Sequence, residues 1–333
     1  MRLKPPFGLD PFLLILLADV ATASLLPCRG AAATAFGWLS SAVIALLFFL
    51  HGAKLSREAI WGGIGHWRLH LVVAAATFVL FPMLGLILRA LGSGWIEPGM
   101  TAGVLFLCLL PSTVQSSIAF TSIARGNTPA AVCSATLSNM LGIFITPVLV
   151  GLFMGARAQG GGVSLHSIEA IALQLLAPFI AGHLSRPLTF KLLDRYKPIV
   201  NVVDRGSILV VIYTAFSAAV VEGIWRKLSA GDLVLVLVLC AALLAVVMSA
   251  TTWAARALGF SREDEIAIVF CGSKKSLASG VPMAGVLFPA AAVGAMIVPL
   301  MLFHQMQLMV CAVLARRYAA TAPAKPESSS APA

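Results

Sequence analysis

Two adjacent lysines, Lys274 and Lys275, interrupt the apolar stretch from Ile266 to Ala284, and no other residues in the chain advertise chemistry so plainly. An ammonium can bind an anion, carry a proton or stand where a metal cation would, because it offers three donors to the oxygens around it. At 1.5 Å per residue the lysines lie roughly 14–20 Å from the acidic group Glu263, Asp264 and Glu265 on one side and from Phe288 on the other, too far for their stems to reach water. A charge at that depth costs on the order of 2.5–3.5 kcal/mol, so protein oxygens or an aqueous cavity must receive it. Gly272, Ser273, Ser276, Ser279, Gly280 and Pro282 are poor helix formers, which predicts an unwound turn between two half-helices.

A second constellation, Pro111, Ser112, Thr113, Gln115, Ser116 and Ser117, crowds another apolar run. A single hydroxyl can bond back to its own helix, but Gln115 carries donors and an acceptor that one helix does not satisfy. Ser134 and Ser138, four residues apart with Asn139 beside them, share a helix face that either lines the same cavity or packs closely with Gly142. His304, Gln305 and Gln307 lie deep in the last apolar run, where the histidine is either a hydrogen-bonded packing residue or a proton relay. Pro82, Pro147 and Pro299 predict helix kinks. No zinc-protease helix motif, nucleophile elbow or phosphate-binding glycine loop is present, so neither an enzyme nor a cofactor is expected.

The elements that must position these residues follow from composition. With 333 residues, 59% hydrophobic and 11% charged, the chain has more apolar surface than a soluble core of this size could hide, which makes it an all-α polytopic membrane protein surrounded by lipid. A net charge of +10 would suggest nucleic acid in a soluble protein. Here the basic residues fall between apolar runs, where membrane orientation accounts for them and nucleic acid is not expected as a partner. Cys108, Cys133, Cys240, Cys271 and Cys311 sit within apolar runs at no metal-ligand or disulfide spacing and read as core fillers.

Cutting the apolar runs at glycine, proline and charge predicts ten transmembrane helices, near 11–27, 36–53, 69–90, 99–124, 129–154, 166–185, 204–222, 232–257, 264–288 and 290–315. Sixteen basic residues then fall on one side and five on the other, which sets both termini in the cytoplasm; the remaining two are Lys274 and Lys275. The halves are residues 1–154 and 166–317, joined by a glycine-rich linker at 155–165 and followed by a disordered tail at 318–333. Five spans per half force the second to enter the membrane inverted, and each fourth span carries an interruption. Between the fourth and fifth spans, Gly126 suits a helix C-terminus, Asn127 or Thr128 an N-cap and Pro129 the first turn.

With these residues in view, the segment from about Pro11 to Arg317 resembles the bile acid:sodium symporter superfamily, in particular the bacterial proteins related to the seventh member of the human bile-acid carrier family. The resemblance is carried by Leu46-Leu-Phe-Phe-Leu-His-Gly-Ala-Lys-Leu55, Pro111-Ser-Thr-Val-Gln-Ser-Ser117, Ala124-Arg-Gly-Asn127, Cys271-Gly-Ser-Lys-Lys-Ser-Leu277 and Phe303-His-Gln305. It implies two inverted five-helix repeats, a panel of helices one, two, six and seven, and a core in which broken helices four and nine cross. It also implies a bacterial inner-membrane location and alternating access at the panel–core interface. Sodium-coupled members carry a glutamate shortly before the crossover glycine and a Gln-Asn pair after it. Aligned on Gly272, this chain has Phe270 and Lys274-Lys275 there.

The expectation that follows is a secondary transporter of a small organic anion, coupled to sodium or to protons. One ammonium fills a vacated cation position by bonding oxygens around Ser112 to Ser117, and the other binds the anion or, in a proton-coupled carrier, one serves as proton carrier; any sodium would sit near Ser116, Ser117, Ser134 and Ser138. The competing expectations are that the lysines merely pin the crossing helices, and that the chain is a regulator or scaffold which keeps the fold and has lost the coupling-ion site. No residue pattern fixes an oligomeric state.

Overall fold

The computed structural model describes residues 11–54, 66–92, 94–154 and 165–321, and these fold into helices and connecting turns with no strand among them. The helices are α1 (Pro11–Leu25), α2 (Ala31–Lys54), α3 (Trp67–Ala75), a π-helical turn (Ala76–Leu80), α4 (Phe81–Gly92), α5 (Pro98–Leu109), α6 (Gln115–Ile123) and α7 (Thr128–Met154). They continue as α8 (Leu165–Arg195), α9 (Lys197–Val221), a single turn α10 (Ile224–Lys227), α11 (Ala230–Ala257), α12 (Arg262–Gly272), α13 (Leu277–Leu287) and α14 (Ala290–Ala320). Six stretches of 24 to 31 residues are long and apolar enough to cross a membrane: α2, the run from α3 through α4, α7, α9, α11 and α14. Their outward faces leave large apolar side chains such as Trp38, Leu39, Met83, Leu152 and Val238 exposed, as lipid-facing surfaces require. The protein is therefore a multi-pass, all-helical membrane protein.

Helices α1, α2, α8 and α9 pack on one another, and α3 to α7 pack with α11 to α14; the two groups meet mainly along α9 and α14. Both interruptions lie in the second group. The first separates α5 from α6 at residues 110–114, and the second separates α12 from α13 at residues 273–276. Space for their contact is made by residues without side chains. A Cβ on Gly142 of α7 would come within 2.5 Å of Pro111, and one on Gly280 of α13 would overlap Leu110.

Several boundaries differ from those drawn on hydropathy. The helices α8 and α9 meet at Tyr196, so Arg186, Lys191 and Arg195 are helical where a loop from 186 to 203 was expected. Charge ends an apolar run but not a helix, because lysine and arginine are good helix formers. Residues 318–320, expected in the tail, belong to α14, whose end is held by Arg262 Nη2 donating to the Tyr318 carbonyl at 2.8 Å and to Thr321 Oγ1 at 2.6 Å. The tail beyond Thr321, and the linker apart from Leu165, lie outside the described residues.

At the turn between α6 and α7, Asn127 is the cap: its Oδ1 accepts from Ala130 N at 3.0 Å, while its Nδ2 donates to Asp264 Oδ1 at 2.7 Å. The left-handed residue there is Arg125 (φ 59°) and not Gly126, which is small because Ile266 of α12 packs against it. The turn thus ties the end of α6 to the start of α12, and so aligns the two broken pairs.

Candidate functional site

The two interruptions are joined directly, by Ser276 N donating to the Pro111 carbonyl at 3.0 Å. Each break strips the end of a half-helix of its usual partners, and the other break supplies replacements. The carbonyls ending α12 receive hydroxyls: Ser112 Oγ donates to Cys271 O at 2.5 Å and Ser117 Oγ to Phe270 O at 2.9 Å. Ser112 N is itself diverted to Ser138 Oγ at 3.1 Å, which leaves the Cys108 carbonyl without its helical donor.

That carbonyl is taken by Lys275. Its Nζ donates to Cys108 O at 3.0 Å, Leu110 O at 2.6 Å and Thr77 O at 2.9 Å, and lies 4.0 Å from the centroid of the Phe81 ring. The Thr77 carbonyl is available because Phe81 N bonds back to Ala76 in the π register and the next residue, Pro82, has no N–H. Three carbonyl acceptors need three protons, which only the charged ammonium provides. The Lys275 backbone is clamped as well, its N–H donating to Gln307 Oε1 and its carbonyl accepting from Gln307 Nε2, both at 2.9 Å.

Lys274 is equally buried and held differently. Its Nζ donates to the Ser116 carbonyl at 2.9 Å and faces the rings of Phe120 and Phe270, with centroids at 4.3 and 5.2 Å. The expectation that one ammonium bonds oxygens around Ser112 to Ser117 thus describes Lys274, through a single carbonyl, while the better-satisfied Lys275 reaches carbonyls of α5, the following break and the π turn.

A cavity of about 430 Å³ lies between the two helix groups. One wall holds the first residues of α6 and α13, with Thr113, Gln115, Ser116, Ser276 and Ser279, together with Asn139 and His304. The facing wall is built from α2 and α9 by His51, Asn201, Asp204 and Arg205, flanked by the apolar Leu47 and Ile208. Asp204 Oδ2 pairs with Lys54 Nζ at 2.5 Å, and its Oδ1 has no hydrogen-bond partner among the described residues. At the far ends of the same helices α9 and α14 close on each other, a Cβ on Gly294 falling 2.5 Å from that of Ala219. The N-termini of two half-helices and a guanidinium facing one space make it favourable for negative charge. Neither lysine lines it.

The remaining residues singled out from sequence fall in several places. Ser276 caps α13 by accepting from Ser279 N at 3.1 Å, and Ser279 Oγ donates to Asn139 Oδ1 at 2.7 Å. Thr113 Oγ1 is shared with Ser116 Oγ at 2.7 Å and Ser117 Oγ at 3.1 Å. Ser273 bonds back to the Val269 carbonyl at 2.6 Å, and Gly272 ends α12 against Thr251 and Ala76. Ser134 pairs with His70 Nδ1 at 2.6 Å. His304 Nδ1 meets Gln307 Nε2 at 2.9 Å, which connects the cavity wall to the Lys275 backbone. The Gln305 amide finds no partner among the described residues.

The hydroxyls expected near a sodium ion, Ser116, Ser117, Ser134 and Ser138, are each hydrogen-bonded to protein groups, and the Cys108 and Leu110 carbonyls at the crossing are taken by Lys275. The α2–α9 wall was not expected from sequence: its polar residues His51, Asp204 and Arg205 lie at the ends of apolar runs, where polar groups are ordinary, and that position is the signal they give.

A family model described as the SBF-like CPA transporter family matches residues 10–320. An uncharacterized protein of Pseudomonas aeruginosa is 58% identical over 316 residues, covering 95% of each chain. The putative symporter YfeH of Escherichia coli is 56% identical over 310 residues, 93% of each chain. Sodium/bile acid cotransporter 7 of Mus musculus is 29% identical over 280 residues, 83% of this chain and 82% of that one. With broken helices crossing around buried lysines and a family model that covers nearly its whole length, the chain belongs to the SBF-like CPA transporter family.

Proposed function

We propose that this protein is a secondary active transporter of a small amphipathic organic anion, working by alternating access and driven by sodium or protons. The observation that carries the reading is the cavity: two half-helix N-termini and Arg205 offer an anion a pole, while Leu47, Ile208 and Leu308 offer its carbon skeleton an apolar wall. In this reading α1, α2, α8 and α9 form the panel and the remaining helices the core. Residues 1–154 and 166–317 are inverted halves, both termini are cytoplasmic and the membrane is the bacterial inner membrane. The cavity then faces the cytoplasm, since it lies at the Lys197 end of α9, and the contact of Gly294 with Ala219 is the closed outer gate. Movement of panel against core exchanges the two. The printed names of the mouse and E. coli relatives favour a symporter and, for the mouse protein, sodium and a bile acid.

Purified protein in proteoliposomes, offered labelled organic anions under a sodium gradient, a pH gradient or neither, tests this directly. Saturable uptake of at least one anion that collapses with its gradient is expected. Single cysteines at Ser116 and Ser276 should label from both sides of the membrane. The absence of uptake combined with labelling from one side only would make the chain a scaffold.

A further inference from the structure

We infer that Lys275 fills a preformed cation cage, and that this cage accepts a free monovalent metal cation once the lysine side chain is removed. Three carbonyls from two parts of the chain, Thr77 in one and Cys108 and Leu110 in the other, converge within 3.0 Å of one point, and each is there for a reason other than the lysine. Thr77 is freed by the π turn and Pro82, Cys108 by the diversion of Ser112 N to Ser138, and Leu110 by the extended backbone (ψ 157°) that ends α5. The first two lie on helix ends or turns whose exposed carbonyls carry partial negative charge, and the Phe81 ring adds its face at 4.0 Å. An ammonium ion and a potassium ion have nearly equal radii, and sodium needs only a slight contraction of the same oxygens.

Lys275 is 0% exposed and donates all of its protons to this set, so no second cation can share it. The native cage therefore carries its cation covalently and takes no free sodium, so a coupling ion in a gradient-driven cycle binds at other oxygens. The cage stands apart from the transport reading, because it is tested without any substrate.

The experiment compares thermal unfolding of the detergent-solubilised full chain in sodium, potassium and choline chloride at equal ionic strength. Wild type sets the baseline: any response it shows comes from an ion bound away from the cage. Lys275→Ala opens the space and should be stabilised by sodium or potassium over choline beyond that baseline, with a saturable rise in unfolding temperature of about 1–4 °C. Lys275→Met fills the same space without charge and should show no cation response beyond that of wild type. A saturable response in wild type as large as that of Lys275→Ala overturns the inference, as does an equal response of the alanine and methionine variants. If Lys275→Ala is recovered folded only in sodium or potassium, the cage is supported. If it is recovered in none of the salts while Lys275→Met is, the emptied site takes no cation and the inference fails.

Discussion

The two interruptions solve one problem with opposite chemistry. At the end of α12, two neutral hydroxyls, Ser112 of the first break and Ser117 in the first turn of α6, each satisfy one carbonyl. At the end of α5, a single charged side chain from the second break satisfies two carbonyls and adds a third from the π turn. Hydroxyls are local and replaceable, since each covers one acceptor at the net value of an ordinary hydrogen bond. The ammonium is a hub, and its loss unpairs three buried acceptors together. A second contrast lies within the lysine pair: Lys275 is saturated by carbonyls, whereas Lys274 has one carbonyl that also belongs to the helical ladder of α6, and two aromatic faces. Neighbouring residues of the same type are thus placed in different electrostatic roles by the turn between them.

These contrasts can be broken by substitution, and the largest effect is expected at Lys275. Changing it to methionine keeps the volume and leaves three buried carbonyls unpaired at about 1–3 kcal/mol each, so thermal unfolding should show a loss above roughly 3 kcal/mol. A loss below that of a single hydroxyl deletion would mean that water or another donor replaces the ammonium, and the hub description would be wrong.

Next come Gly142→Ala and Gly280→Ala, which push a methyl group into Pro111 and Leu110 from opposite sides of the crossing. Overpacking of this kind costs about 1–3 kcal/mol. Both should also loosen the Ser276–Pro111 bond, visible as faster amide exchange at Ser276.

Ser112→Ala and Ser117→Ala should each cost about 1 kcal/mol and be close to additive, because they serve different carbonyls. A coupling energy above about 1 kcal/mol in the double-mutant cycle would show that the hydroxyls act as a unit, as the lysine does.

The smallest effect is expected for Lys274→Met. A buried charge with, among the described residues, one hydrogen bond and no counter-ion is replaced by an apolar chain of similar length, and stability should move by less than about 1 kcal/mol in either direction. A destabilisation equal to that of Lys275→Met would erase the distinction between the two lysines.

Much of this was legible in the residues themselves. Gly272 to Gly280 and Pro111 to Ser117 announced two breaks because no lipid-facing helix can carry so many polar groups, and an ammonium at membrane depth required oxygen partners wherever it pointed. Those requirements are local properties of the chain, so composition and spacing determined the membrane class, the two breaks and the need to satisfy the lysines.

Which oxygens answer that need was decided only by tertiary structure. Lys275 finds Thr77 at a separation of 198 residues, on a turn whose proline looked like a simple kink. Asp204 and Arg205 become cavity residues only because α9 lies across from α6 and α13. A side chain's chemistry is fixed by its type, but its partner depends on how helices distant in sequence pack, and no periodicity along a single helix carries that information.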